Sequence, residues 1–569
     1  MSLGGYLPSD LNSERPGNLS EPPPPVLDFE RVVSLRSVGD KGVLQSTRII
    51  MDALTTSSGR SLTAAILALV VLFLGRLVWN SKWEKRYPFP PGPHARHIDL
   101  AKFRANPGVT FMEWAKSYGP IISYSLRGQR TIVLNSPKAV TDLLETKSSI
   151  HSDRPINWMA GELAGRKWNV FSISSQHPRF KIYRRLLHNG LNPRASKDYR
   201  AIQHSETMCM LKTLATNPED FIFALRRSAV ATMLKLAYGF QIGGRDDTFE
   251  SILEETFKVS VELGTPGKYL IESYPWLRFV PAWFPGAGFK RYALGVKEKL
   301  DHMNSIPFQW TLRRIRAGNH VESFISKLLS IDTPYIDSKE KEDVLKWCAF
   351  GLYIGGGDTT VSALTTFMLI MQLHPDVQRR AHADISRVCQ GRLPTPDDYR
   401  SLPYIEAIIK EILRWGPVAP LGLPHCATRD EIYEGYYIPK GTKILANIWA
   451  LTHDEDLYPD PHKFDPERHL GPNPQPNPFQ FVFGFGRRVC PGAHFAESSL
   501  FLAISNILTV FEITKARDGE GREIEPRVAW LNTITSHLEP FTCRITPRSS
   551  ELLSMVLDHE TPAPDNLTS

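Results

Sequence analysis

Residues 481–492 read Phe-Val-Phe-Gly-Phe-Gly-Arg-Arg-Val-Cys-Pro-Gly. The chain has six cysteines in 569 residues, and one of them stands in this loop of glycines and arginines. The six are Cys209, Cys348, Cys389, Cys426, Cys490 and Cys543. None forms a C-x-x-C pair, and their spacing suggests neither a disulfide framework nor a zinc site. A reducing compartment is the simple reading for the main body. Cys490 therefore needs an explanation other than a bridge. A thiolate that binds a metal needs electropositive surroundings to stay deprotonated. Gly484, Gly486 and Gly492 let backbone N–H groups approach the sulfur. Pro491 and Gly492 open the apolar stretch AHFAESSLFLAISNIL, whose helix would point its positive end at the sulfur. Arg487 and Arg488 add full positive charge. An inert buried cysteine is the usual fate of a lone one, but it would leave the glycines and arginines without a role.

Phe483, Gly486, Arg488, Cys490 and Gly492 fit F-x-x-G-x-R-x-C-x-G. This stretch resembles the haem-binding signature of the cytochrome P-450 monooxygenases. With Gly484 included, the pattern arises by chance about once in 10⁵ chains of this length and composition. The resemblance implies that Cys490 is the proximal iron ligand of haem b, its thiolate donation favouring O–O cleavage. It places Phe483 near the haem and the sulfur.

Other matches follow in the family's order. KEILR carries Glu411 and Arg414, one helical turn apart and on one face. Pro466-Glu467-Arg468 resembles the P-E-R motif, whose arginine, here Arg468, closes that ion-pair network. The implied role of Glu411, Arg414 and Arg468 is structural. GGGDTT, Gly355–Thr360, resembles the oxygen-binding helix motif. There the glycines would weaken the helix and make room for dioxygen. Thr359 can hydrogen-bond locally and open the helix ladder. Asp358 and Thr359 are then the acid–alcohol pair that relays protons. RFKIYRRLLH, Arg179–His188, resembles the W-R-x-x-R helix with Phe180 in place of tryptophan, so an N–H donor is lost while Arg184 is retained. LPHCATRD places His425 on a haem propionate. Arg184, His425 and Arg488 are the three expected propionate contacts.

Outward from these motifs, helical patterns dominate. Leu345–Leu373 is a long apolar stretch, and its Asp358 and three glycines mark a buried central helix rather than a membrane span. PDVQRRAHADISRVC and YIEAIIKEILRW are amphipathic. Short strands are expected in IISYSLRGQRTIVL and IYEGYYIPKGTKILANI. The fold class is mainly α with a minor β-sheet, one large haem-binding domain over 95–545 of the P-450 fold, followed by a flexible tail over 546–569. Net charge is +7, spread along the chain without the dense basic runs of a nucleic-acid binder.

Residues 1–60 read as a disordered leader, polar and rich in proline and serine at first. Met51 offers a second start. LTAAILALVVLFLG, Leu62–Gly75, runs on past Arg76 to Trp79. The segment 61–80 reads as a short transmembrane anchor if Arg76 snorkels, since a span needs about 20 apolar residues. A cleaved signal peptide would show a small-residue cleavage site. Instead Trp79, Lys82, Trp83, Lys85 and Arg86 form an interfacial belt. Positive charge after the span puts the body in the cytosol and makes Asn18, in Asn-Leu-Ser, a lumenal glycosylation acceptor. Residues 81–94 are a basic, proline-rich hinge, with YPFPPGP as a stiff strut.

The resemblance implies a haem-thiolate monooxygenase of the endoplasmic reticulum membrane, single-pass with a cytosolic catalytic domain. Its electrons come from NADPH through NADPH-cytochrome P-450 reductase. Cytochrome b5 is a further donor the family admits. WGPVAPLGLP and TSHLEPF correspond to pocket-lining segments, mostly apolar apart from His537 and Glu539. A lipophilic substrate follows: a terpenoid, steroid or aromatic compound. The style resembles fungal members of specialised metabolism or xenobiotic oxidation. Two alternatives stay open. A non-oxygenating isomerase or dehydratase of the same fold often lacks the acid–alcohol pair. A membrane-tethered haem protein that only binds a ligand would have no use for the relay.

Overall fold

The structure, a computed structural model, describes residues 87–243, 255, 259, 262–263, 268–532 and 534–565. The expected leader, the anchor over 61–80 and Asn18 lie outside these residues. Chain contacts set Tyr87–Ser569 apart as one unit from Met1–Arg86.

Seven helices position the site. They are α1 (Pro178–Leu191), α2 (Arg200–Thr216), α3 (Phe221–Tyr238), α4 (Ser338–Leu373), α5 (Pro403–Trp415), α6 (Ala493–Val510) and α7 (Ser550–Leu557). The central one, α4, starts seven residues before its apolar run. Its first turns, Ser338–Asp343, are polar, and the Asp337 side chain caps them by accepting from the Lys339 N–H. At 36 residues it is about 54 Å long. From Val344 onward it is buried on most sides, which an all-round apolar helix requires. α5 buries Ile405, Ile408, Ile409, Ile412 and Leu413, each contributing about 1.5–3 kcal/mol. Among the described residues, Ala493–Val510 is the helix long and apolar enough to cross a membrane. It is α6, whose C-terminal two-thirds is packed into the same core as α4 and α5.

The sheet is minor, as expected. β1 (Ile121–Leu126) pairs antiparallel with β2 (Gln129–Leu134), Ile121 opposite Leu134. Two further strands complete the order β1-β2-β6-β3, where β3 is His425–Cys426 and β6 is Lys443–Ala446. β4 (Glu431–Tyr433) and β5 (Tyr436–Ile438) form a hairpin. So do β8 (Trp530–Asn532) and β9 (Ser536–Leu538). β7 (Phe511–Lys515) pairs with β10 (Cys543–Pro547).

The proline segment, read as a stiff strut, is tied to the strands beside it. Pro90 and Pro91 carbonyls accept from Ser123, Pro88 accepts from the Tyr437 N–H, and Arg130 stacks over Phe89. One expectation changes: residues 546–565 are not a loose tail. They form α7, which buries Val556 completely, and the chain then clasps Gln241 through two backbone-directed bonds of Asp565. The apolar positions Leu552, Leu553 and Val556 recur at helical spacing and are the signal that the polar flanks obscured.

Candidate functional site

The cysteine loop is closed by its own backbone. The Cys490 N–H donates to the Phe483 carbonyl at 2.7 Å. Phe483 packs edge-on against Phe479 and borders the main core. Gly484 and Gly486 have φ of +77° and +52°, a region only glycine enters freely. Gly486 is needed twice, because a Cβ there would strike the Leu144 carbonyl and Ser148. The Gly492 N–H lies near the sulfur and works to lower its thiol pKa. Gly492 directly precedes α6, so the sulfur sits beside the positive end of a helix.

Cys490 is exposed as a residue, yet its thiol is ringed by enough protein that burial raises its pKa. The Gly492 N–H and the Arg184 charge oppose that rise. The charge beside the sulfur is Arg184, which corrects one expectation. Arg487 is exposed, and Arg488 turns away to donate to the Ser152 and Ile173 carbonyls at 2.8 and 2.6 Å. The Arg488 guanidinium lies 4.2 Å from the centre of the Phe180 ring. The phenylalanine that replaces the expected tryptophan thus offers its face in place of an N–H donor.

Sequence reasoning missed Arg154. Its guanidinium donates to the Phe171, Leu423 and Pro424 carbonyls. It joins Arg184, Arg488 and His425 in one electrostatic cluster. Burial, then neighbouring Arg154, drives Arg488 down to about 8. Burial, then Arg154, drives His425 down to about 3. Burial lowers Arg154 to about 10, with Asp153 opposing. Asp153 is the carboxylate that faces this cluster, and it also accepts from the Ser175 N–H. His425 Nδ1 lies 2.8 Å from the His151 carbonyl. Part-buried cations in such excess call for anions. The two propionates of a haem would supply two carboxylates, so the donor set fits that group: a sulfur ligand with an N–H donor behind it, and a guanidinium and imidazole cluster alongside.

The segment 152–175 joins this cluster to α4. Its Phe171 carbonyl accepts from Arg154, while Phe171 and Val170 fill the space left by Gly355 and Gly351. Met233 of α3 fills that of Gly356. These glycines therefore admit neighbouring side chains, a packing role the sequence reading did not assign. Thr359 Oγ1 donates to the Gly355 carbonyl at 2.7 Å, as expected, but it does not open the ladder: α4 stays helical without interruption to Leu373. Asp358 accepts from His537 Nε2 at 3.0 Å.

On α5, Glu411 is fully buried and accepts five hydrogen bonds. Two come from Arg414 at 2.8 Å, one from Arg468 at 3.0 Å, one from His469 at 2.9 Å and one from the Asp465 N–H at 2.9 Å. Burial works to raise the Glu411 pKa, but these donors outweigh it and hold it below the ordinary value. His469, the residue after P-E-R, was not anticipated.

The sequence profile of the cytochrome P450 family matches residues 88–538. Cytochrome P450 monooxygenase 208 of Postia placenta is 38% identical over 514 residues, covering 88% of this chain and 97% of that protein. Cytochrome P450 monooxygenase claR of Ampulloclitocybe clavipes is 38% identical over 519 residues, covering 89% and 95%. A tryptamine 4-monooxygenase of Psilocybe cyanescens is 33% identical over 508 residues, covering 86% and 99%. The length and depth of these matches, on a mainly helical fold with a cysteine loop and a part-buried cation cluster, mean that the chain belongs to the cytochrome P450 family and is a haem monooxygenase.

Proposed function

We propose that this chain inserts one atom of dioxygen into a lipophilic small molecule, with electrons from NADPH delivered by a membrane reductase. The observation that carries this reading is the Cys490 sulfur, placed before α6 beside the Arg184 charge and flanked by part-buried cations in excess. When bound there, haem supplies the oxygen activation. The chain supplies the rest. Cys490 holds the iron, with Phe483 packed beside it. Arg154, Arg184, His425 and Arg488 hold the propionates. Asp358 and Thr359 hand protons to the reacting oxygen. Glu411, Arg414 and Arg468 lock the core beneath.

Half-buried Val418, Leu421 and Leu423, in the segment that corresponds to a pocket wall, support an apolar substrate. The fungal relatives, one named for oxidation of tryptamine, support a role in specialised metabolism. Exposed Trp276, Phe279, Trp283 and Phe284 form an aromatic patch. Such a patch supports a body resting on lipid, in keeping with an anchor at 61–80 in the endoplasmic reticulum membrane.

The test is expression in yeast with a matching reductase. Cys490→Ser should abolish the reduced carbon monoxide band of a thiolate-bound haem; a retained band would refute the ligand. Feeding terpenes, steroids and simple aromatics, with mass spectrometry for products gaining one oxygen, then reads the substrate class. Product formed without NADPH or reductase would favour a non-oxygenating reaction instead.

A further inference from the structure

Asp358 has one hydrogen-bond donor to its carboxylate among the described residues, and it comes from outside the helix. His537, on β9, donates from Nε2 to Asp358 Oδ2 at 3.0 Å. The Asp358 side chain is 10% exposed and that of His537 is 23% exposed, so water competes weakly for the contact. Thr359 cannot serve instead, because its hydroxyl is committed to the Gly355 carbonyl. The hairpin carrying His537 is anchored independently. Ser362 Oγ donates to the Ser536 carbonyl, and the Ser536 N–H donates to the Val418 carbonyl at 2.8 Å. The nearby charged group on the hairpin side, Glu539, is paired with Arg527 at 3.2 Å. The imidazole is therefore aimed at the acid by a frame that does not depend on the contact itself.

We propose that His537 is a positioning residue for Asp358: it fixes the carboxylate in the one orientation from which the acid–alcohol pair can deliver protons. The inference rests on the monooxygenase reading of that pair. Its consequence is readable without knowing the substrate. With no compound added, electrons from NADPH end either in hydrogen peroxide or in water. Peroxide takes two electrons and two protons per dioxygen, and the O–O bond survives. Water takes four of each, and the bond breaks. A carboxylate that swings away starves the second route and shifts the electrons toward peroxide.

The experiment uses the full chain, haem-loaded to equal content, with NADPH-cytochrome P-450 reductase. Hydrogen peroxide per NADPH is measured for the wild type, His537→Ala, His537→Gln and Asp358→Asn. Hydrogen exchange over residues 530–538 is read in parallel, without turnover. His537→Ala and Asp358→Asn should each raise the peroxide yield by at least about twofold. His537→Gln keeps an N–H donor and should return the yield to near the wild-type value. The hairpin should stay protected in all three variants, because its other anchors remain. A wild-type yield in His537→Ala beside a raised yield in Asp358→Asn overturns the inference and leaves the relay standing. A wild-type yield in Asp358→Asn overturns the relay, and the inference with it. A hairpin that loses protection in His537→Ala, or a Gln variant that does not rescue, overturns positioning as the role.

Discussion

Glu411 shows what a single residue contributes here. Its five donors arrive from α5, from the Asp465 backbone and from Arg468 and His469. Glu411→Ala strands two buried guanidiniums, and we expect a loss of about 3–5 kcal/mol, measured by urea unfolding of the haem-loaded protein. A loss under 1 kcal/mol would show that the cations find other partners. Gly486→Ala tests the loop in another way. It places a side chain at positive φ and against the Leu144 carbonyl, so haem content should fall sharply at equal expression; normal loading would mean the loop adapts. Motif spacing made Cys490, Glu411, Arg414 and Arg468 legible in the sequence. Arg154 and His469 were not, because a lone arginine or histidine in a loop has no period. Their meaning comes from segments hundreds of residues or dozens of residues away, Leu423 for one and Glu411 for the other. Arg487 misled for the same reason: charge near the cysteine in sequence is not charge near the sulfur.

At the scale of elements, α4 shows what an apolar run does and does not say. Its existence was plain from the run to Leu373. Its start was not, because the polar first turns resemble a solvated loop. The glycines were legible as weak points but not as sockets, since Phe171 and Met233 reach them from distant segments. Gly356→Ala sets two effects against each other. Alanine gains about 1 kcal/mol in helix propensity, but its Cβ meets the buried Met233 side chain. Overpacking of a core costs about 1–3 kcal/mol, so we expect net destabilisation. Met233→Ala alone should cost about 2–5 kcal/mol. The double variant should be less destabilised than the sum of the two by about 1 kcal/mol or more. Strict additivity in thermal or urea unfolding would show that the side chains do not meet.

The whole molecule carries a pH signature. Burial lowers His151 and His382 to about 4, and His453 to about 3. The ordinary histidine value is about 6.5. Between those limits the unfolded chain binds more protons than the folded one, so stability falls as pH falls through that window. Each histidine contributes up to about 1.4 kcal/mol per pH unit. The lowered Glu411 adds a loss of the same sign at lower pH, below the ordinary carboxylate range. Thermal melts from neutral pH down to about pH 4.5 should show a steady drop; a flat profile would mean these rings are charged in the fold. Neither the burial of these rings nor the clasp of Asp565 on Gln241 could be read from pattern, because both depend on which distant surfaces meet.

The Glu411 hub also restricts how this sequence can drift. Its partners lie on one helix and on a loop more than 50 residues later. Loss of Glu411 itself strands two guanidiniums at once. A lineage can leave this arrangement only by several changes together, or after gaining stability elsewhere to survive the first.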